Sequence, residues 1–202
     1  MNFFKKLYLN NLFFYALLGV ITLFATAFFF PFLCSVTWCL LLILLILLLL
    51  DILILFFVKS GFEASRVTPE KLSNGDENAI NVSLKNYYTF PVKVKILDEI
   101  PFQFQIRNFE IIQKLKANSS TSINYFLRPT ERGEYFFGNL NIYVHSPLQL
   151  IARRFTFNKD VMVPTYPSYI QLRKYDLIAF SNNLFQYGAK KIRRIGHSME
   201  FE

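Results

Sequence analysis

Hydrophobic positions fall along the chain in two regimes. From Leu12 to Leu50 no side chain carries a charge, and at about 1.5 Å per residue that run makes roughly 58 Å of helix, close to two crossings of a ~30 Å hydrocarbon core. Pro31 falls near its middle, where it can end one helix and start another, so the pattern predicts spans over residues 12–30 and about 36–58. From Glu63 onward, apolar and polar residues alternate in short runs broken by turn signals. In residues 79–86, Ile80, Val82 and Leu84 share one face and Asn81, Ser83 and Lys85 the other; residues 92–97 repeat the device. Further strands are predicted at 102–106, 121–127, 135–137, 140–144, 151–157 and 161–163, with Pro101, Pro129, Pro147, Pro164 and Pro167 placed at or near the connections. The expected fold is a transmembrane helical hairpin followed by an all-β, immunoglobulin-like antiparallel sandwich of about seven to nine strands. Residues 1–60 form the anchor, 61–167 the sandwich, and 168–202 a linker leading into a further domain.

Charge orients the hairpin. Lys5 and Lys6 precede the first span, Lys59 and Arg66 follow the second, and the turn between them is uncharged, so the positive-inside bias puts both ends in the cytoplasm. A competing reading takes residues 1–27 as a cleaved signal peptide ending at Ala25-Thr26-Ala27; the second span would still leave its carboxyl side in the cytoplasm. Asp51 is the lone acid among the apolar residues. An acid in mid-bilayer suggests function, but near the cytoplasmic third it snorkels, or the span ends near Leu50 and leaves 52–58 in the interface. Cys34 and Cys39 read as apolar packing thiols, and the downstream domain has no disulfide framework.

The net charge of +8 over 202 residues raises anionic lipid, nucleic acid and acidic proteins as partners. Lys190, Lys191, Arg193 and Arg194 form the one basic cluster. With no aromatic platform interleaved, lipid or solvent suits it better than nucleic acid. Arg132-Gly133 is the most organised turn of the later chain: Gly133 is expected at a positive backbone angle, and Arg132 either caps carbonyls or meets a partner's acid. Asp76-Glu77 and Asp98-Glu99 read as turn or strand-end charges, because adjacent strand residues face opposite ways. His145 and His197 lack ligand companions in sequence. No nucleophile elbow, phosphate loop or Cys/His cluster occurs, so no catalytic, cofactor or metal residue is assigned. The sequons at Asn81 and Asn118 would not meet a transferase in the cytoplasm.

Several short motifs combine with the helix pair: Arg66-Val67-Thr68-Pro69-Glu70, Asn86, Asp98-Glu99-Ile100-Pro101, Arg132-Gly133-Glu134-Tyr135, Ser146-Pro147-Leu148, Pro164-Thr165-Tyr166-Pro167, and a tail running from Arg193-Arg194-Ile195 to Met199-Glu200-Phe201. Together they resemble the bacterial domain of unknown function 58 family, membrane-anchored relatives of von Willebrand A proteins associated with MoxR-type ATPases. The resemblance implies an inner-membrane, non-enzymatic scaffold whose partners are membrane lipid, a MoxR-type ATPase and related von Willebrand A-like membrane proteins. Contacts are expected at sheet edges or the Arg132 turn. The family's metal-binding aspartate and serine motif would lie beyond Glu202, so no metal site carries over, and the chain resembles a member truncated before that domain.

Overall fold

The structure, a computed structural model, describes residues 5–168. A short strand, β1 (Leu7–Leu9), leads into two apolar helices, α1 (Asn11–Ala27) and α2 (Leu33–Phe57), joined by a turn around Pro31. Ala16, Gly19, Val20 and Leu23 of α1 face Leu40, Ile43, Leu44 and Leu47 of α2. Phe24 meets Trp38 edge-on at 5.6 Å. α2 is long and apolar enough to cross a membrane; α1, at 17 residues, is shorter. Cys34 and Cys39 are exposed on α2, which corrects their reading as packing thiols. The cause is the helix pairing, which buries the Val20 and Leu44 stripe and turns the thiols away.

The rest is antiparallel β structure, built from β2 (Phe62–Val67), β3 (Leu72–Ser73), β4 (Asn78–Asn86), β5 (Val92–Asp98), β6 (Glu110–Leu115), β7 (Ser120–Leu127), β8 (Gly133–Phe137), β9 (Leu140–His145), β10 (Ile151–Phe157) and β11 (Val161–Tyr166). Three ladders result: β1-β10-β9-β5-β6, β2-β4-β7, and a small sheet β3-β11-β8 whose β3 pairing is parallel. Setting β2-β4-β7 against β10-β9-β5-β6 gives the strand order of an immunoglobulin-like sandwich. Alternation drives it: Ile80, Val82 and Leu84 of β4 and Val92, Val94 and Ile96 of β5 are all buried in one core with Ile142, Val144 and Ile151. Gly133 opens β8 at φ 138°, as its turn required.

Where the sequence pattern misled, backbone chemistry explains it. Residues 102–106 do not form a strand; Phe102–Phe104 is a 3₁₀ turn, because Pro101 supplies no amide proton and Gln105 sits at φ 55°. Phe104 then packs on Tyr135, 4.9 Å between ring centres. β1 joins the sheet although it lies in the segment assigned to the anchor, since its Leu-Tyr-Leu merges into the helical apolar run. β2 was hidden because its third inward residue is Arg66.

Arg66 and Asp98 form a buried ion pair between the two facing sheets. Asp98 also accepts from the Tyr125 hydroxyl of β7, and Arg66 donates to the Gly138 carbonyl at 3.0 Å and lies over the Phe137 ring at 5.0 Å. Burial pushes the Asp98 carboxyl above its usual range, while the Arg66 charge and the Tyr125 hydrogen bond pull it back. Asp98, the last residue of β5, does stand at a strand end, but as half of a buried pair. Glu99, by contrast, faces outward and accepts from the Asn139 amide at 2.8 Å and the Asn141 side chain at 2.7 Å.

Candidate functional site: the joint between helices and sandwich

The last two turns of α2 are not free apolar surface. Asp51 and Leu55 are fully buried, and Leu48, Ile52 and Phe56 pack against the sandwich core. Asp51 accepts from the Ser146 hydroxyl and from the Leu150 amide at 3.2 Å, both in the loop between β9 and β10. Neither snorkelling nor an interfacial helix end describes it. The carboxylate is taken up by protein, because that loop folds alongside the helix and brings it the Leu150 amide and the Ser146 hydroxyl, which also lies 3.0 Å from the Ile151 carbonyl.

One turn later the helix end is closed by a side chain. Arg153 of β10, buried, donates through Nη1 to the carbonyls of Leu55 (2.9 Å) and Val58 (2.7 Å) and through Nη2 to that of Lys59 (2.8 Å). Leu55 and Val58 are among the acceptors a helix C-terminus leaves unsatisfied, and a cation there also meets the negative end of the helix dipole. Its guanidinium lies 4.7 Å from the Phe56 ring and 4.6 Å from that of Phe155. The Tyr88 hydroxyl adds a bond to Leu55 at 2.9 Å. Burial pushes the Tyr88 phenol up, so it stays a donor.

Asn86 positions Tyr88: its side chain accepts from the Tyr88 amide at 3.0 Å and donates to the carbonyls of Phe90 and Lys116. The Tyr88 ring lies flat over Gly61, where an added Cβ would fall 2.2 Å from the ring. Gly61→Ala is therefore expected to cost about 1–3 kcal/mol by displacing Tyr88 from the joint. Urea unfolding of the chain in detergent micelles, followed by near-ultraviolet circular dichroism, measures it.

The other side of the joint is held by β1. Its ladder to β10 ends where the Asn10 amide donates to the Leu150 carbonyl at 2.9 Å; the Asn10 side chain donates to His145 Nδ1 at 2.8 Å and to the Gln149 carbonyl at 2.9 Å. Burial, with Lys93 and Lys95 close by, pulls the His145 imidazole below its ordinary value, which keeps Nδ1 an acceptor at neutral pH. A folded-state pKa below the unfolded one contributes stability that is present above about pH 6.5 and is lost as pH falls through the lowered value. Acidification is expected to lower the protection factor of the Asn10 amide, its exchange rate taken relative to the intrinsic rate at each pH. Exchange monitored between pH 7 and pH 5 checks this; an Asn10 amide that stays equally protected refutes it.

Of the residues singled out in the sequence, Asp51, Asn86 and His145 belong to the joint, and the candidate interaction residues do not. Arg132 is exposed in the turn before β8 and takes no part in the joint. Lys190, Lys191, Arg193, Arg194 and His197 lie outside the described residues, as does almost all of the linker proposed for 168–202. Arg153, Asn86, Tyr88 and Asn10 were missed as a group. An Arg-Arg pair inside an apolar strand was the one local signal, since strand alternation sends one of the two inward.

No protein-family model matches the chain, and no curated protein matches it. Among solved structures it is similar to the ASH / PapD-like domain of human CEP192 (PapD-like domain 7), at 13% identity and a TM-score of 0.41, over 54% of this chain and 87% of that one.

Proposed function

We propose that the chain is a membrane-anchored, non-enzymatic interaction module in which both helices cross the bilayer and hold the sandwich rigidly at its cytoplasmic face. The joint supports this reading most directly. Because the sandwich takes up α2 from Asp51 onward, the helix left for lipid is residues 33–50, about 27 Å, against about 26 Å for α1. Matched lengths near the hydrocarbon thickness suit a two-span hairpin better than one span and a loose helix. Lys5, Lys6 and Lys59 all stand at the sandwich end, as the positive-inside bias requires of a cytoplasmic domain. β1 argues for retention of the N-terminal segment, since cleavage after Ala27 would strip a strand from the five-stranded sheet. Its buried polar groups are engaged in holding elements together, which suits a scaffold.

By the resemblance noted in the sequence, the partner is a MoxR-type ATPase acting on client or envelope proteins, and co-purification from solubilised membranes tests it. The anchor is tested separately. The chain should stay with vesicles through an alkaline carbonate wash. Ser122→Cys in a background lacking Cys34 and Cys39 should react with an impermeant maleimide only in inverted vesicles. Labelling from outside alone would refute the orientation.

A further inference from the structure

Across the outer face of the five-stranded sheet, three basic residues stand in one row at the end nearest the helices. Lys93 of β5 lies opposite Lys114 of β6 on one side and opposite His145 of β9 on the other, and directly opposed residues share a face. Like charges placed so repel, and Glu110 of the same face is already held by Lys95 at 2.5 Å. Lys116, exposed, follows just past the end of β6. The connections at this end, residues 87–91, 116–119 and 146–150, contain no acid. Burial first, then Lys93 and Lys95, hold the His145 imidazole uncharged, so the lysines are felt there without an opposing anion.

The height of the row relative to the helices selects the occupant. Asn10, the residue before α1, bonds His145, and Asp51, where the sandwich takes up α2, bonds Ser146 and Leu150. His145 and Ser146 therefore lie where both helices emerge, and Lys93 and Lys114, on the same rung as His145, fall within a headgroup layer about 5–8 Å deep. Leu148 lies between the two donors to Asp51 and is 42% exposed, an apolar side chain at the depth where hydrocarbon begins. Both ends of the described chain lie away from this surface. Lys6 runs beside Arg154 on the side away from α1, and Ser168 bonds Asp76 at the opposite end of β4, a strand about 30 Å long. An acidic protein segment would have to enter a layer that lipid already fills. We propose that this end of the sandwich is a binding surface for anionic phospholipid, with headgroup phosphates on Lys93, Lys114 and Lys116 and the Leu148 side chain among the acyl chains. This rests on the reading that both helices span the bilayer and deepens it by naming the lipid.

The test uses the full chain in phosphatidylcholine nanodiscs carrying a trace of spin-labelled phosphatidylglycerol or of spin-labelled phosphatidylcholine. Electron paramagnetic resonance should show the anionic label held at the protein about fivefold more strongly than the neutral one, with the preference falling as salt rises. Lys93→Gln/Lys114→Gln should remove most of that preference, whereas Lys71→Gln, beside β3 at the far end, should leave it unchanged. In Trp38→Phe/Leu148→Trp, which keeps a single indole, the fluorescence should be quenched by phospholipid brominated near the headgroup end of its chains. Equal retention of the two labels, a preference unchanged in the double lysine variant, or an unquenched indole overturns the proposal. So does displacement of the anionic label by soluble polyglutamate, which would make an acidic protein the occupant. Carbonate resistance of the same variants reports on the anchor separately: a chain that stays in the membrane without the preference refutes the lipid surface alone, and a chain that washes out refutes the anchor and this surface with it.

Discussion

Arg66→Met is expected to destabilise the sandwich by about 3–5 kcal/mol, because it leaves Asp98 charged, buried and without its counter-ion. The loss should exceed what the removed methylenes or the Gly138 bond would give. Asp98 is held between sheets with no route to water, and its carboxyl already titrates above the ordinary range because burial outweighs the help from Arg66. A folded-state pKa raised in this way means the charged carboxylate costs stability as pH rises through it, so the variant should be least stable at neutral and alkaline pH and recover in part on acidification. Arg66→Met/Asp98→Leu/Tyr125→Phe, which removes charge, counter-ion and the hydroxyl that donates to Asp98, should cost far less than Arg66→Met alone. Urea unfolding of the unchanged chain and the two variants at pH 5 and pH 8 decides it. A triple variant as damaged as the single one would mean that the pair matters for shape and not for charge compensation.

That contrast shows why the sandwich was legible in the sequence and its polar interior was not. β4, β5 and β7 follow from alternation, since a half-buried strand must repeat every second residue. Arg66 breaks the same alternation on β2, and what makes it tolerable is Asp98, thirty-two residues away on the facing sheet. No local rule carries that information. The joint has the same character: Asp51 is answered by Ser146, |i−j| of 95, and Leu55 by Arg153, |i−j| of 98. Four of the motifs that prompted the family resemblance are accounted for by these contacts: Arg66 and Asp98 pair with each other, Ser146 donates to the buried Asp51, and Asn86 orders the Tyr88 loop. Their role here is architectural. The Arg132 turn, which looked the most organised, is exposed, and its order comes from Gly133 and from Tyr135, whose hydroxyl returns to the Glu131 carbonyl at 3.0 Å.

Arg153→Met tests whether the sandwich and α2 move as one body. The side chain supplies donors to three carbonyls at the end of α2, and bonds from a charged donor are each worth about 1.5–3 kcal/mol. Methionine keeps much of the contact with Phe56 and Phe155 but returns none of the bonds, so a loss of about 4 kcal/mol is expected, concentrated at the joint. Arg153→Lys should recover only part of it, because a single ammonium cannot span carbonyls from Leu55 to Lys59 as a planar fork does. The location of the effect distinguishes coupling from general instability. If α2 is held through Arg153, the methionine variant in nanodiscs should become sensitive to protease between Val58 and Gly61 and exchange amide hydrogens faster at Leu150, while amides of β4 and β7, on the far sheet, keep their protection. Uniform loss of protection across both sheets would mean that Arg153 supports the core as a whole. An unchanged exchange rate at Leu150 would mean that Asp51 and Ser146 hold the helix without it.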